Sequence, residues 1–119
     1  MPVAGFMARI KDLFGSNGSS GAVTVAAATT VYVPDWMGWV PMTGTATITT
    51  LNADISGRRR LVYFYQSDSG ATTFTNTDGT TTAGKMDLGG SNVVLGQTDV
   101  LCLRLHSDGS WVRVFSTDN

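Results

Sequence analysis

Residues 100–116 read VLCLRLHSDGSWVRVFS, which is the pattern of two β-strands joined by a tight turn. Apolar and polar residues alternate on both sides of Asp108 and Gly109, a pair that two-residue type I′ hairpin turns favour. Such a turn would place Leu105 opposite Val112. The sequence therefore predicts an antiparallel hairpin, and its buried face would carry Leu101, Leu103, Leu105, Val112 and Val114.

The other face of this hairpin is mixed in character. The same register places Arg104 opposite Arg113 and His106 opposite Trp111. Like charges directly opposite each other destabilise a sheet. We therefore expect an Asp or a partner group between the two arginines, or side chains that splay into solvent.

The composition of the whole chain also predicts an all-β protein. Its 119 residues include 17 Thr, 10 Ser and 14 Gly, and all nine acidic residues are Asp. Thr favours strands, Gly and Asp favour turns, and the absent Glu is a good helix former. We expect a jelly-roll-like β-sandwich or barrel over residues 22–119. Its strands are predicted within 22–33, 43–51, 58–66, 71–76, 85–88, 92–95, 100–106 and 111–116.

Charge and cysteine content narrow the class of protein further. The net charge is −1, so no global field favours nucleic acid or an anionic membrane, and neither is expected as a partner. No apolar run approaches the roughly 20 residues of a membrane span. Charged residues interrupt the N-terminal apolar stretch, which argues against a signal peptide. A single Cys excludes a disulfide within the chain. We expect a soluble protein that is not secreted.

An N-terminal arm of residues 1–21 is expected to be separate from the β-domain. Residues 15–21, GSNGSSG, have the composition of a flexible linker. A helix over residues 1–15 would be marginal alone in water, so its apolar stripe needs a surface. That surface is either the β-domain itself or a partner, and we expect a helical or extended docking arm. The stripe consists of Phe6, Met7, Ile10, Leu13 and Phe14.

Residues 32–42, YVPDWMGWVPM, form the most unusual segment of the sequence. Two prolines and a glycine predict a loop or irregular edge rather than a central strand. The large apolar residues there would cap the open end of the domain, contact another subunit, or form an aromatic platform for sugars. We expect a subunit or capsid-type interface that includes Trp36, Met37, Trp39 and Met42.

The chain has one basic cluster, Arg58-Arg59-Arg60. On a strand, Arg58 and Arg60 point one way and Arg59 points the other way. Charges divided over two faces make a poor track for phosphates. We therefore expect Arg58 and Arg60 to pair with Asp residues of a neighbouring strand or subunit and to belong to the same interface.

The sequence contains little that could support catalysis. It has one His, one Cys and no Glu, and no nucleotide-binding, hydrolase or zinc spacing. We interpret His106 as a strand residue beside Trp111, and Cys102 as a small, half-buried apolar residue that faces Phe115. No catalytic residue, metal site or cofactor is expected, and the protein is not expected to be an enzyme.

A series of short motifs resembles a known family. In order, they are TGTATIT at 43–49, SGR at 56–58, LVYF at 61–64, LGGSNV at 88–93, TDV at 98–100 and DGSW at 108–111. This order is similar to that of a β-rich module of tailed-bacteriophage virions, found in tail-fibre and tailspike tips and in head fibres or head decorations. The sequence departs from that pattern at Thr98, where Gly is frequent, and at Arg60, where the pattern is apolar.

The resemblance implies a non-enzymatic homotrimer. A short chain with a docking arm fits a capsid decoration, or cement, protein better than a long tail fibre. Such a protein would bind the major capsid protein on the outer surface of the phage head, after assembly in the host cytoplasm, and would stabilise the head. The alternative is a tail-tip or head-fibre module that binds host-surface carbohydrate.

Overall fold

The computed structural model describes residues 23–54 and 59–118, and every regular element in these ranges is a β-strand. The prediction of an all-β protein is confirmed. The predicted arm and linker, residues 1–21, lie outside the described residues. The strands are β1 (Val25–Ala26), β2 (Thr30–Val33), β3 (Trp39–Thr43), β4 (Ala46–Ile48), β5 (Thr50–Ala53), β6 (Arg60–Gln66), β7 (Thr72–Phe74), β8 (Met86–Asp87), β9 (Val93–Leu95), β10 (Val100–Leu105) and β11 (Trp111–Ser116).

The strands form three sheets that the chain visits in a repeating order. The large sheet has the order β1-β3-β6-β10-β11-β8, the two-stranded sheet is β2-β5, and the three-stranded sheet is β4-β7-β9. Strands β2, β3 and β4 enter the two-stranded, large and three-stranded sheets in turn, and β5, β6 and β7 repeat that order. Each repeat pairs in parallel with its counterpart, so that Thr30 aligns with Thr50 and Ala46 with Thr72. This part of the chain therefore makes two stacked coils of a three-sided solenoid.

The coils explain how a chain without helices forms parallel pairs. A parallel pair needs a long crossover between its strands, and here the other two strands of each coil supply it. The coil turns a corner at Thr49, whose backbone N–H donates to the Thr29 carbonyl at 2.9 Å. The strand predicted at 43–51 is consequently divided into β4 and β5. The prediction of one continuous strand is wrong because alternation alone does not reveal a corner.

The C-terminal strands close the solenoid. Strand β10 pairs antiparallel with β6, and β11 pairs antiparallel with β10. Strand β9 pairs antiparallel with β7, and β8 adds to β11 in parallel. The three sheets thus surround a shared interior, as the predicted sandwich or barrel would, although the strands that form it are coiled.

One hydrophobic cluster fills this interior and draws on all three sheets. The ring of Phe64 lies 5.2 Å from that of Phe74 and 6.1 Å from that of Trp111, both edge to face, so the aromatic centre joins the large and three-stranded sheets. The cluster comprises Val31, Val33, Met37, Val40, Met42, Ile48, Leu51, Val62, Phe64, Phe74, Met86, Leu88, Leu95, Leu101, Leu103, Leu105 and Trp111.

The hairpin of β10 and β11 differs from its predicted register near the turn. Leu101 pairs with Ser116 as predicted, but the register shifts between Cys102 and Leu103. Beyond this bulge, Leu105 pairs with Trp111 rather than with Val112. The three leucines predicted to be buried are fully buried, whereas Trp111 replaces the valines in the core and Val114 is 46% exposed.

The turn accounts for this shift. Ser107, Asp108 and Gly109 form a three-residue loop, because the His106 N–H bonds to the Ser110 carbonyl. Gly109 has φ +89°, whereas Asp108 does not adopt the positive φ that a type I′ turn requires at both central residues. The predicted opposition of Arg104 and Arg113 is therefore wrong. The predicted opposition of His106 and Trp111 is also wrong, since His106 follows β10 and bonds to Ser110.

Candidate functional site

The outer face of the large sheet carries a band of aromatic side chains. In β6, Val62 and Phe64 point into the core, so the alternating Tyr63 and Tyr65 point outward. The parallel strand β3 places Trp39 beside Tyr63. On the other side, β10 and β11 bring Phe115 to the same face through the pairs Tyr63–Cys102 and Cys102–Phe115. We call Trp39, Tyr63, Tyr65 and Phe115 the aromatic band.

The rings of the aromatic band contact one another and remain open to solvent. The centroids of Trp39 and Tyr65 are 5.5 Å apart, with ring planes 26° from parallel. Tyr63 lies 6.2 Å from Trp39 and 6.1 Å from Phe115. Trp39 is 52% exposed and Phe115 is 42% exposed. Large contiguous apolar patches are characteristic of interaction surfaces, so the aromatic band is the candidate site on this face.

Cys102 lies beneath the band, between Tyr63 and Phe115 in the ladder. Its pairing with Phe115 confirms the predicted neighbour, but its side chain is fully buried rather than half-buried as predicted. Burial raises the pKa of the Cys102 thiol, and this outweighs the hydrogen bond from Tyr63 that lowers it. The neutral thiol therefore acts as a small apolar support for the rings.

The structure divides the predicted Trp and Met cluster between core and surface. Met37 and Met42 are 3% and 0% exposed and belong to the core, so their predicted interface role is wrong. Trp36 and Trp39 are 43% and 52% exposed. Strand alternation in β3 explains why Trp39 is exposed and Met42 is buried. Trp36 and Met37 precede this strand, so the path of the preceding turn decides their exposure.

Pro41 lies within β3, where the sequence predicted a loop or edge. The Gly38 carbonyl accepts a bond from Tyr63 of β6, and the Met42 carbonyl accepts one from Ser67, which directly follows β6. The nitrogen of Pro41 therefore faces the opposite edge of β3. On that edge β1 pairs only with Met42 and Thr43. Pro41 therefore removes no hydrogen bond from the ladder to β6, and the large sheet tolerates it.

Arg60 has a structural role that the sequence did not predict. Its guanidinium donates to the carbonyls of Pro34 and Met37, both at 2.8 Å. These two hydrogen bonds connect the turn before β3 to the first residue of β6. Arg58 lies outside the described residues, as do the predicted docking residues Phe6, Met7, Ile10, Leu13 and Phe14.

A second feature of the outer face lies at one end of β6 and β10. A groove of about 300 Å³ is lined by Arg59, Arg104, His106, Ser107 and Asp108. The sequence did not indicate this grouping, because it depends on the antiparallel register of two distant strands. We call these residues the basic groove.

Sequence reasoning also missed Tyr63, Tyr65 and Phe115. Residues 61–65, LVYFY, are apolar on both faces of the strand, and that was the available signal. A strand with two apolar faces is either covered on both sides or presents one face to a partner. The side on which β6 is covered became evident only from the packing.

Residues 23–54 and 59–118 contain neither a metal-binding cluster nor a membrane-spanning helix. No group of three or more His, Cys, Asp or Glu residues in these ranges could hold a metal ion. The same ranges contain no helix long and apolar enough to cross a membrane. Comparison with protein-family models, curated proteins and solved structures found no match to this chain.

Proposed function

We propose that this chain is a structural virion protein, a capsid decoration protein that binds the outside of a bacteriophage head as a homotrimer and stabilises it. The aromatic band is the observation that carries the proposal. Four rings held in mutual contact on one sheet face form a rigid, apolar surface suited to binding another protein surface. The virion context of the proposal comes from the order of sequence motifs, which resembles that of phage virion modules.

The band has the composition of an interface centre. Trp and Tyr dominate the residues whose loss most weakens protein–protein binding. Trp39 would be the central anchor, since it contacts both Tyr63 and Tyr65 while half of its surface remains exposed. Burial of such a side chain contributes about 1.5–3 kcal/mol before the costs of association.

Binding of this protein would stabilise the phage head by thermodynamic linkage, because binding favours the assembled shell. A protein that binds only the assembled shell stabilises it by RT ln(1 + [L]/Kd), or about 4 kcal/mol per site at a thousand times Kd. In this proposal the aromatic band joins the subunits of the trimer. The predicted arm binds the major capsid protein through its apolar residues, which include Phe6, Ile10 and Phe14.

Light scattering with a matched pair of variants tests the proposal. The protein should have a mass near three times 12.6 kDa. Trp39→Ala should yield monomers, because it removes the centre of the band. Tyr32→Ala is the control, since Tyr32 is 56% exposed but lies on the two-stranded sheet. A monomeric wild type, in solution and on undecorated heads alike, would refute the trimer.

Carbohydrate binding is the second candidate function, and the same band favours it. The rings of Trp39 and Tyr65 are nearly parallel and form a flat platform of the kind on which a sugar ring stacks. Titration with neutral oligosaccharides, followed by tryptophan fluorescence, separates the two functions. Saturable quenching that is lost in Trp39→Ala, in a monomeric protein, would favour carbohydrate binding.

A further inference from the structure

The basic groove is built by two strands whose charged residues are distant in sequence. In the β6–β10 ladder, Arg104 pairs with Leu61 and Leu105 pairs with Arg60. Side chains alternate between faces, so Arg59 and His106, the next residues of the two strands, return to the outer face with Arg104. Three nitrogen-rich side chains thus converge at one end of the face that carries the aromatic band.

The groove is large enough for a ligand and is open to solvent. Its volume of about 300 Å³ lies at the lower end of the range for small-molecule sites. Arg59 and Arg104 are both exposed, so their guanidinium groups are accessible. Each guanidinium can donate two parallel hydrogen bonds to one oxyanion.

The acidic residue of the groove is engaged elsewhere. Asp108 Oδ1 accepts two hydrogen bonds from Ser110, one from its backbone N–H at 2.8 Å and one from its hydroxyl at 2.6 Å. These bonds from Ser110, together with the charge of His106, lower the pKa of Asp108. The Asp108 carboxylate is therefore held in its turn, and the two arginines give the groove a positive charge in a chain whose net charge is −1.

We propose that the basic groove binds an oxyanion: a phosphate, sulfate or carboxylate group. The guanidinium groups of Arg59 and Arg104 hold the anion, and the imidazole of His106 donates a further hydrogen bond. This site is separate from the assembly role proposed above. The anion has two possible sources, a free inorganic ion or the acid group of a saccharide that also contacts the aromatic band, whose Tyr63 lies four residues after Arg59.

Titration of the full-length protein with sodium sulfate tests the site. Amide and imidazole NMR signals are followed at constant ionic strength, with sodium chloride as the reference salt. We expect saturable shifts centred on His106, Ser107 and Asp108. Arg104→Gln should weaken binding about three- to tenfold, as expected for one charge-assisted contact at an exposed site. The matched control is Arg113→Gln, an exposed arginine on β11 outside the groove, which should leave affinity unchanged.

A variant that neutralises one charge gives a second test of the site. Asp108→Asn keeps the oxygen that accepts from Ser110 and removes one negative charge, so it should strengthen sulfate binding. Equal weakening by Arg104→Gln and Arg113→Gln, or shifts that chloride reproduces, would overturn the site. A monomeric wild type would overturn the assembly proposal and leave this one standing.

A parallel titration distinguishes the two sources of the anion. Trigalacturonate carries carboxylates on sugar rings, whereas sulfate carries charge alone. If trigalacturonate binds at least tenfold more tightly than sulfate and Trp39→Ala abolishes the difference, the ligand is an acidic saccharide. If the two bind alike and Trp39→Ala has no effect, the ligand is a free oxyanion. Binding of neither anion would refute the proposal.

Discussion

The indole Nε1 of Trp111 donates a 2.8 Å hydrogen bond to the backbone carbonyl of Leu51, 60 residues earlier in the chain. Both residues are buried. Trp111 begins the last strand of the large sheet, and Leu51 lies on the second coil in the two-stranded sheet. This bond therefore ties the closing hairpin to the solenoid inside the core, where water cannot replace it.

Replacing Trp111 should test this bond directly. Trp111→Phe keeps an aromatic ring but leaves the buried Leu51 carbonyl without its indole donor, which costs about 1–3 kcal/mol. The smaller ring adds a packing loss. Urea denaturation measures the free energy of unfolding, and Trp39→Phe, at an exposed position, should change it by less than about 0.5 kcal/mol. Equal effects of both changes would contradict the assigned role of the bond.

The leucine face of β10 offers a second test. Leu103 is fully buried, so Leu103→Ala should lower the free energy of unfolding by about 2–5 kcal/mol. Thr47 is exposed on β4, and Thr47→Ala should cost less than about 1 kcal/mol. Chemical denaturation of the two variants side by side measures the difference. Similar losses at both positions would show that the faces are assigned incorrectly.

Gly70 lies where the chain passes close to itself. A Cβ at this position would fall onto the backbone carbonyl of Gly44, whereas a Cβ on Gly38 would meet open space. We expect Gly70→Ala to destabilise the protein by about 1–3 kcal/mol or more, because backbone must move to relieve the overlap. Gly38→Ala should be nearly neutral. Thermal unfolding of the pair measures this, and equal melting temperatures would disprove the close approach.

Acid should weaken the turn that follows β6. Asp68 accepts bonds from the backbone N–H groups of Gly44 and Gly70, both at 2.9 Å, and from Gln66 Nε2 at 2.8 Å. The bond from Gly44 is the largest cause that lowers the pKa of Asp68 below its ordinary value of 3.8. These bonds stabilise the fold above that value, and the stability is lost as pH falls through the lower folded-state pKa.

Asp68→Asn should therefore be less stable than wild type at pH 7, with a difference that shrinks in acid. Urea midpoints measured from about pH 7 to about pH 2 would show this convergence. Asp118→Asn, an exposed carboxylate after β11, is the control and should not reproduce it. A difference that stays constant with pH would mean that the Asp68 charge does not contribute.

Deleting residues 1–15 tests the proposed docking arm. Among the described residues, those between Val31 and Trp111 build a complete buried cluster. We therefore expect the β-domain to remain folded without the arm, with a nearly unchanged melting temperature. Binding to undecorated heads, measured by co-sedimentation, should fall at least about tenfold as the apolar stripe is lost. Unfolding of the truncated protein would place the arm in the core. Unchanged binding would indicate that the arm is not the capsid contact and that Trp36 and Trp39 should be tested in its place.

Local patterning predicted much of the fold. Alternation and turn residues correctly indicated strands at β6, β7, β10 and β11, and the buried set Leu101, Leu103 and Leu105. These features depend on neighbours within a few residues, which the sequence displays directly. The function assigned from the motif order stays a prediction.

What the sequence by itself determined about this protein is its all-β class and the identity of its strongest strands, because propensity and alternation act locally. The tertiary structure decided the rest. Parallel pairing of Thr30 with Thr50, and of Trp39 with Tyr63, joins residues some 20 or more positions apart that carry no local signal. The same packing buried Met42, left Trp39 exposed and brought Arg59 to Arg104, because the face of a strand that meets solvent depends on what the remaining sheets cover.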